Sequence, residues 1–443
     1  MIDSRPKRYL IETWGCQMNQ HDSEKMAGIL AGLGYVPTVD DREADVILLN
    51  TCSIREKAES KVYGRLGRLR RLKMANPDLF IGVVGCVAQQ VGEGIFGRAP
   101  FVDLVMGPRN LSRLGELIEE ARREGRSIGL ARDDDPIVFP SGTTARASGP
   151  KAFVTVMEGC NKSCTYCIVP FTRGREVYRP PTEIMAEVVA LAAQGYREIE
   201  FLGQNVNAYH HQGSDLATLL RMADRIRGIR RVRFTTSHPG HLKQTIIDTF
   251  RDVPTVCNHL HLPVQSGSDR VLKAMNRGYT RSRYVLKLDS LRKAVPGMAF
   301  STDIIVGFPG ETGLDFAETL QLMRDIEFDQ VYAFAYSPRP GTEATRLEAT
   351  VPHESKQERL AELLSLQETL QTRRNRSLVG QSFEVLMDGV GRLDNGLLRG
   401  RTRCNRIVHF SGPAQRGDLI DVRITRAQPH SLIGELLRES GAA

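Results

Sequence analysis

Short apolar runs recur along the first part of the chain, and each is followed by a turn and then by an amphipathic stretch. These runs end at Glu12, Thr51, Gly85 and Met106. Continuous apolar strands that alternate with helices are typical of a parallel sheet covered by helices on both faces. We therefore expect residues 1–130 to form a Rossmann-like α/β domain.

A polar linker rich in turn-forming residues follows at 131–150. The alternation of strands and helices then resumes with longer helices. Six βα units predict a partial barrel of the TIM type over residues 151–378, with its chemistry at the carboxyl ends of the strands. The predicted strands are Ala152–Met157, Glu198–Leu202, Val232–Thr236, His259–Pro263, Ala299–Val306 and Val331–Tyr336.

The pattern changes again near the end of the chain. Leucines at helical spacing predict a helix over 352–376, ending in a basic segment. From there on, short stretches alternate apolar and polar residues and are broken by glycines, which is the pattern of a small antiparallel barrel. Residues 379–443 are therefore predicted to be a third domain.

The net charge and the N-terminal segment bear on the binding partner and the cellular location of the protein. The net charge of +8 points mildly toward a polyanionic partner. The chain starts with a charged segment rather than an apolar leader, and no apolar run reaches the roughly 18 residues that a membrane span needs. We expect a cytoplasmic protein without a membrane partner, whose eight cysteines stay reduced.

Three cysteines fall within eight residues, at Cys160, Cys164 and Cys167. Structural zinc takes four protein ligands, so this loop provides one thiolate too few. A four-iron cluster held by three thiolates keeps one iron open for a small molecule. Zinc with a distant fourth ligand is the alternative.

A second set of cysteines is spread along the N-terminal domain. Cys16, Cys52 and Cys86 are 34 to 36 residues apart, and each follows a predicted strand. Loops after parallel strands meet at the carboxyl edge of the sheet. The pattern predicts a second three-thiolate site and hence a second cluster, whereas small residues at three strand ends would be the ordinary explanation.

An open iron that chelates the amino and carboxylate groups of S-adenosylmethionine can pass an electron to the sulfonium, and cleavage then gives a 5′-deoxyadenosyl radical. Tyr166 is placed to lie against the adenine, although packing explains an aromatic residue there equally well. Gln204 and Asn205, after the second barrel strand, are further candidate contacts. Arg175, with its neighbours Arg173 and Arg179, can bind the cofactor carboxylate or RNA phosphate, or simply lie on the surface.

A dense basic run, Arg399 to Arg406, lies on a predicted strand pair of the last domain. Guanidinium groups suit phosphate through paired hydrogen bonds, which favours RNA contact, while a solvated sheet edge is the alternative. The predicted RNA-binding residues are Arg399, Arg401, Arg403 and Arg406.

Over essentially its full length the chain resembles the radical S-adenosylmethionine methylthiotransferase family. That family combines an N-terminal cluster domain with three cysteines, a radical core with Cys-x-x-x-Cys-x-x-Cys, and a C-terminal RNA-binding barrel called TRAM. Within the family, Thr13–Asn19, Asp22–Met26, Asn50–Glu56 and Gly400–Arg406 resemble the members that modify tRNA.

The resemblance implies a reaction. Cys16, Cys52 and Cys86 would hold an auxiliary 4Fe-4S cluster that presents sulfur, and one S-adenosylmethionine would methylate that sulfur. A second S-adenosylmethionine, at the 4Fe-4S cluster of the other three cysteines, would form the radical. The methylthio group would enter ring position 2 of an isopentenyl-adenosine next to the anticodon of a tRNA.

The resemblance also implies partners: the tRNA anticodon loop, an electron donor, and a system that supplies sulfur or clusters. Family members that act on threonylcarbamoyl-adenosine tRNA or on a ribosomal protein aspartate are the alternative enzymes. An RNA-binding module with structural zinc is an alternative from another class.

Overall fold

The computed structural model describes residues 5–53, 56–131, 139, 144–146, 149–348, 350–391 and 396–437. They form two compact units. Of the described residues, the first unit comprises those within 1–148 with the short segments 158–162 and 168–177, and the second those within 149–157, 163–167 and 178–443. Two segments beyond the predicted linker thus pack with the N-terminal unit.

The first unit is built on a six-stranded sheet in which every neighbouring pair is parallel, in the order β2-β1-β3-β4-β5-β6. Its strands are β1 (Arg8–Trp14), β2 (Val36–Pro37), β3 (Val46–Thr51), β4 (Phe80–Gly85), β5 (Leu104–Met106) and β6 (Ser127–Gly129). Its helices are α1 (Gln17–Gly32), α2 (Glu56–Ala75), α3 (Cys86–Val91), α4 (Gly94–Arg98), α5 (Leu114–Glu124) and α6 (Val169–Arg173).

Both faces of this sheet are buried, which explains why its central strands are apolar throughout. Leu48 and Val84 point into one apolar core with α1 and α5, and Ile47 and Val83 point into another with α2. The predicted parallel sheet is confirmed. The edge strands β2 and β6 were not predicted, because runs of two or three residues carry no periodic signal.

The second unit contains the predicted six-stranded partial barrel. Two parallel sheets, β7-β10-β13 and β14-β15-β16, are connected by a bridge between Val232 and Val256 and enclose one apolar core. Strands here are β7 (Lys151–Thr155), β10 (Glu198–Leu202), β11 (His210–His211), β12 (Ser214–Asp215), β13 (Arg231–Phe234), β14 (His259–His261), β15 (Ala299–Val306) and β16 (Gln330–Ala335). Two short strands, β8 (Met157–Glu158) and β9 (Val177–Tyr178), have one residue in each unit. Helices are α7 (Pro181–Ala193), α8 (Leu216–Asp224), α9 (Gln244–Asp252), α10 (Asp269–Ala274), α11 (Arg281–Ala294), α12 (Gly313–Ile326) and α13 (His353–Arg376).

The C-terminal strands close a small barrel in the order β17-β18-β19-β21-β20. They are β17 (Ser382–Val390), β18 (Leu398–Thr402), β19 (Ile407–Ser411), β20 (Leu419–Ala427) and β21 (Leu432–Leu436). Four neighbouring pairs are antiparallel as predicted, but β19 and β21 are parallel. The exception arises because β20 closes the barrel on β17, so β21 enters between β20 and β19. Among the described residues, no helix is both long and apolar enough to span a membrane.

Candidate functional site

Three cysteines lie at one edge of the N-terminal sheet, immediately after three neighbouring strands. The last residues of these strands are direct partners: Trp14 pairs with Thr51, and Thr51 pairs with Gly85. Cys16, Cys52 and Cys86 follow these positions within two residues. The sheet register therefore brings together side chains that are up to 70 residues apart in sequence, as the strand-end pattern predicted.

The thiols differ in their electrostatic setting. A hydrogen bond with Cys52 lowers the pKa of Cys16 to about 6, helped by the backbone of Asn19 and by the charge of Arg173. Burial instead raises the pKa of Cys86. Within the described residues, no three His, Cys, Asp or Glu side chains are grouped closely enough to bind a single metal ion. In a four-iron cluster each thiolate binds a different iron, so the sulfurs lie farther apart than they do around a single ion. Three thiols on separate loops suit this wider spacing.

Two buried asparagines support these loops. The Asn19 amide donates to Asn50 Oδ1 at 3.1 Å and to the Thr51 carbonyl at 3.2 Å. In return Asn50 donates to the Asn19 carbonyl at 2.8 Å and to Ser23 Oγ at 2.9 Å. The loops that carry Cys16 and Cys52 are thus tied by side chains without a charge, and every bond is within ordinary hydrogen-bond length.

A glycine precedes two of these cysteines because the asparagines leave no room for a side chain. A Cβ on Gly85 would lie 2.5 Å from Asn50 Oδ1, and the residue has φ +92°, which favours glycine. A Cβ on Gly15 would lie 2.5 Å from Asn19 Oδ1. These glycines were not predicted to matter, although Gly-Cys at two strand ends is a visible signal.

A buried ionic network lies in the same unit. Arg173 Nη2 donates to Asp22 Oδ2 at 2.6 Å, and Arg173 Nη1 lies 3.8 Å from Glu158 Oε2. Lys25 Nζ is 4.0 Å from Glu158 Oε1. All four side chains are at most 5% exposed. Burial raises the pKa of Glu158, and the charges of Lys25 and Arg173 oppose that rise.

The segments around Cys160 are held by backbone contacts within the first unit. The Cys160 amide donates to the Gly174 carbonyl at 3.0 Å. Gly159 has φ +82°, and a Cβ there would lie 1.9 Å from the Arg175 carbonyl oxygen. The side chain of Arg175 is exposed, and its predicted role in cofactor binding stays a prediction.

Residues 163–167 are fixed by the end of α10 in the second unit. Asn276 donates to the Ser163 carbonyl and hydroxyl, both at 2.9 Å, and Thr165 Oγ1 donates to the Ala274 carbonyl at 2.9 Å. Arg277 Nη1 lies 3.4 Å from both Cys164 Sγ and the Tyr166 hydroxyl. Arg277 was missed, because it is 113 residues from Cys164 and no spacing pattern connects them.

The other predicted cofactor contacts lie in loops of the second unit, and Gln204 and Asn205 directly follow β10. Tyr166 is half-buried and meets Phe308 edge-on, with ring centres 6.5 Å apart. Asn205 is buried, with its amide 3.3 Å from His241 Nδ1, and Gln204 is partly exposed beside it. Their contacts with S-adenosylmethionine stay predictions.

Two further strand ends carry backbone strain. Thr236 follows β13 with φ +72°, and Gln265 follows β14 with φ +75°. Non-glycine residues with positive φ cost about 1–3 kcal/mol and cluster at functional sites. These positions are additional candidates on the carboxyl side of the barrel, and sequence reasoning had no signal for them.

The basic run of the C-terminal barrel packs against the amino ends of the radical-core strands. Arg403 donates to the Pro254 and Val256 carbonyls, at 2.6 and 2.9 Å, just before β14. Arg406 pairs with Asp329, just before β16. Arg399 and Arg401 remain 34% and 37% exposed. All four predicted RNA-binding arginines thus make intramolecular contacts, since Arg399 donates to Asp388 Oδ1 at 2.7 Å and Arg401 to Asn405 at 3.2 Å. RNA binding by the run stays a prediction.

Comparison with known proteins agrees with this organisation. Residues 8–107 match the model of Uncharacterized protein family UPF0004, residues 154–323 the Radical SAM superfamily, and residues 376–437 the TRAM domain. The tRNA-2-methylthio-N(6)-dimethylallyladenosine synthase of Chromobacterium violaceum is 50% identical over 443 residues, covering 98% of this chain and all of the relative. The chain belongs to this synthase family.

Further relatives of the same name agree over the full length. The synthase of Burkholderia thailandensis is 47% identical over 97% of both chains. Among solved structures, the radical S-adenosylmethionine methyltransferase TsrM of Kitasatospora setae, with cobalamin and a 4Fe-4S cluster bound, has a TM-score of 0.56 at 14% identity over 77% of each chain. At that identity the likeness supports the α/β fold alone.

Proposed function

We propose that this protein is a tRNA methylthiotransferase that adds a methylthio group to ring position 2 of an isopentenyl-adenosine next to the anticodon. Two S-adenosylmethionine molecules would be used, one as methyl donor and one as radical source. The observation that carries the proposal is the convergence of Cys16, Cys52 and Cys86 at one sheet edge in a chain that also has the radical motif. A radical enzyme with only one cluster would need no such edge.

Each cysteine triple would hold one of the two clusters. Cys160, Cys164 and Cys167 would hold one 4Fe-4S cluster, and Cys16, Cys52 and Cys86 the other. When bound, the first supplies the electron that cleaves S-adenosylmethionine and the second supplies sulfur.

The chain itself would orient and shield the reacting groups. The asparagine pair fixes two of the cysteine loops. Arg277 Nη1 lies 3.4 Å from Cys164 Sγ, where it donates a hydrogen bond to the sulfur and holds this loop. Tyr166, Gln204, Asn205 and Arg175 would contact the cofactor.

The substrate and partners follow from the same reasoning. A single-stranded anticodon loop suits an enzyme that must reach a base edge, because its bases can be unstacked. Arg399 and Arg401 would contact the RNA backbone through their partly exposed guanidinium groups. An electron donor and a sulfur supply would act with the protein in the cytoplasm.

Nucleoside mass spectrometry of tRNA tests the proposal. Cells without this protein should accumulate isopentenyl-adenosine and lose its methylthio derivative, and the chain supplied from a plasmid should restore it. A Cys52→Ala plasmid serves as the matched control and should not restore it. Unchanged methylthio-isopentenyl-adenosine in the deletion strain would contradict the proposed substrate. Loss of the methylthio derivative of threonylcarbamoyl-adenosine instead would identify the alternative enzyme.

A further inference from the structure

Helix α2 carries a concentration of positive charge on its exposed side. From Ser60 to its end the helix has six basic residues and no acidic one. Two of the six are paired within the first unit: Arg65 contacts two carboxylates, and Lys73 Nζ lies 2.9 Å from Asp103 Oδ1. The other four are exposed and make no ion pair with a residue whose side chain the structure describes: Lys61, Arg68, Arg70 and Arg71.

Helix periodicity places three of these cations on one face. Lys61, Arg68 and Arg71 lie within about 80° of one another around the helix axis and extend over roughly 15 Å along it. On the other side of the helix, Leu66 and Leu69 are at most 2% exposed and belong to the apolar core against the sheet. Because that side is anchored, the three cations are held toward solvent on a rigid element.

Two glycines lie among these cations on the exposed side of α2. A Cβ added to Gly64 or Gly67 would meet no other part of the described chain within 4 Å, so packing does not require glycine at either position. Glycine is the least favourable residue in a helix interior apart from proline. Gly64 is three residues after Lys61 and four before Arg68, so the two cations border its bare backbone. Glycine at such a position lets a partner approach the helix closely.

A polyanion fits this face better than a single small anion. The cations form an extended row rather than converging on one point, and each guanidinium can bind a phosphate through paired hydrogen bonds. Nucleic acid offers phosphates in such a row, and a protein that neutralises them gains affinity by releasing counterions. The net charge of +8 has the sign that this partner requires.

We propose that Lys61, Arg68 and Arg71 form a phosphate-binding surface on α2 for the backbone of the tRNA, separate from the basic run of the C-terminal barrel. This rests on the proposed function, because it takes the polyanion to be the tRNA substrate. Helix α2 begins four residues after Cys52, so the surface would hold the RNA along the helix that leads away from the auxiliary cysteines.

Binding of isopentenyl-adenosine tRNA to the reconstituted full-length protein, followed by fluorescence anisotropy, gives the first test. Each phosphate contact makes the affinity fall with salt concentration to a power of about 0.7–0.9, which amounts to about 5- to 8-fold between 1 M and 0.1 M salt. Lys61→Gln, Arg68→Gln and Arg71→Gln should each weaken binding by about this factor at 0.1 M salt and lower the salt slope by the same power. Arg123→Gln is the matched control, because Arg123 is an exposed arginine of α5 that lies 3.2 Å from Glu124, and it should bind like the parent.

Stability and turnover give signs that a merely structural role would not produce. Gly64→Gln introduces a better helix former into open space, so it should raise the melting temperature and yet weaken tRNA binding, because its side chain fills the approach to the helix. The triple variant K61Q/R68Q/R71Q should raise the KM for tRNA and leave kcat at saturating tRNA unchanged. Cleavage of S-adenosylmethionine without tRNA should also be unchanged in this variant.

The outcomes are distinguishable. A parent that binds the tRNA, with a triple variant that binds it equally tightly at the same salt slope, would overturn this inference alone. The same holds if the triple variant keeps its tRNA affinity but accepts electrons more slowly from an acidic donor protein, since the surface would then serve a protein partner. Loss of affinity only in variants with a lowered melting temperature would assign the effect to folding and overturn the inference. A parent that neither binds nor modifies the tRNA would overturn the proposed function, and this inference with it.

Discussion

The two cysteine triples differ in what brings their three thiols together. Cys160, Cys164 and Cys167 span eight residues, so chain connectivity alone keeps them near one another. Cys16, Cys52 and Cys86 span 71 residues and meet only because β1, β3 and β4 are neighbours in register. A local triple needs few tertiary contacts to exist, whereas a dispersed triple is as stable as the sheet that assembles it.

The supporting contacts reflect this difference. The asparagines beneath the dispersed triple are fully buried, and the adjacent strand end uses a glycine that tolerates no side chain. The local triple is held by hydrogen bonds at more exposed positions, from Asn276 and Thr165. We therefore expect substitutions near the dispersed triple to damage folding and cluster binding together.

Removing a ligand from each triple should have the largest effect. Cys52→Ala should lower the iron content from about eight to about four per chain, since each cubane holds four. It should abolish methylthiolation but retain reductive cleavage of S-adenosylmethionine, which Cys164→Ala should lose. Iron analysis and 5′-deoxyadenosine assays measure both, and an unchanged iron content in Cys52→Ala would contradict the auxiliary cluster site.

Gly85→Ala should be the most damaging change outside the ligands. Its positive φ alone costs about 1–3 kcal/mol, and the added Cβ also collides with Asn50. Gly125→Ala is the matched control, because it has φ +87° but nothing within 4 Å of the added atom. Thermal melts should show a larger decrease in melting temperature for Gly85→Ala than for Gly125→Ala. Equal decreases would mean that the close contact between the added Cβ and Asn50 does not affect stability.

Alkylation of the iron-free protein should separate two members of the dispersed triple. With its pKa lowered to about 6, Cys16 is a thiolate above that pH and loses its reactivity below it. Cys86 has a raised pKa and is buried, so it is almost wholly protonated at pH 7. Mass spectrometry after iodoacetamide at pH 7 should show Cys16 reacting at least about tenfold faster, because an ordinary thiol is only a few per cent ionised there.

The smallest effect is expected in the local triple. Thr165→Val removes one partly exposed hydrogen bond and should cost about 0.5–1.5 kcal/mol. Asn50→Ala, beneath the dispersed triple, leaves buried partners unsatisfied and should cost about 1–3 kcal/mol. Urea unfolding compares the two, and the reverse order would contradict the distinction between the triples.

Much of the fold could be predicted from sequence, because long apolar strands carry a strong periodic signal. The six barrel strands were expected within a few residues of their positions, and helix α13 within one. The parallel pair β19 and β21 could not be predicted, since strand order within a closed barrel leaves no trace in an alternating pattern. Neither could the supporting residues Arg277 and Arg173, whose roles depend on long-range contacts.

By itself, the sequence determined the chemistry: three thiolates in one short loop, and three more at successive strand ends. These follow from residue type and spacing, which need no tertiary information. The tertiary structure decided how the sites are supported and charged. It buried Arg173 against Asp22 and Glu158 and placed Arg403 and Arg406 in intramolecular contacts, because burial and ion pairing depend on which surfaces meet.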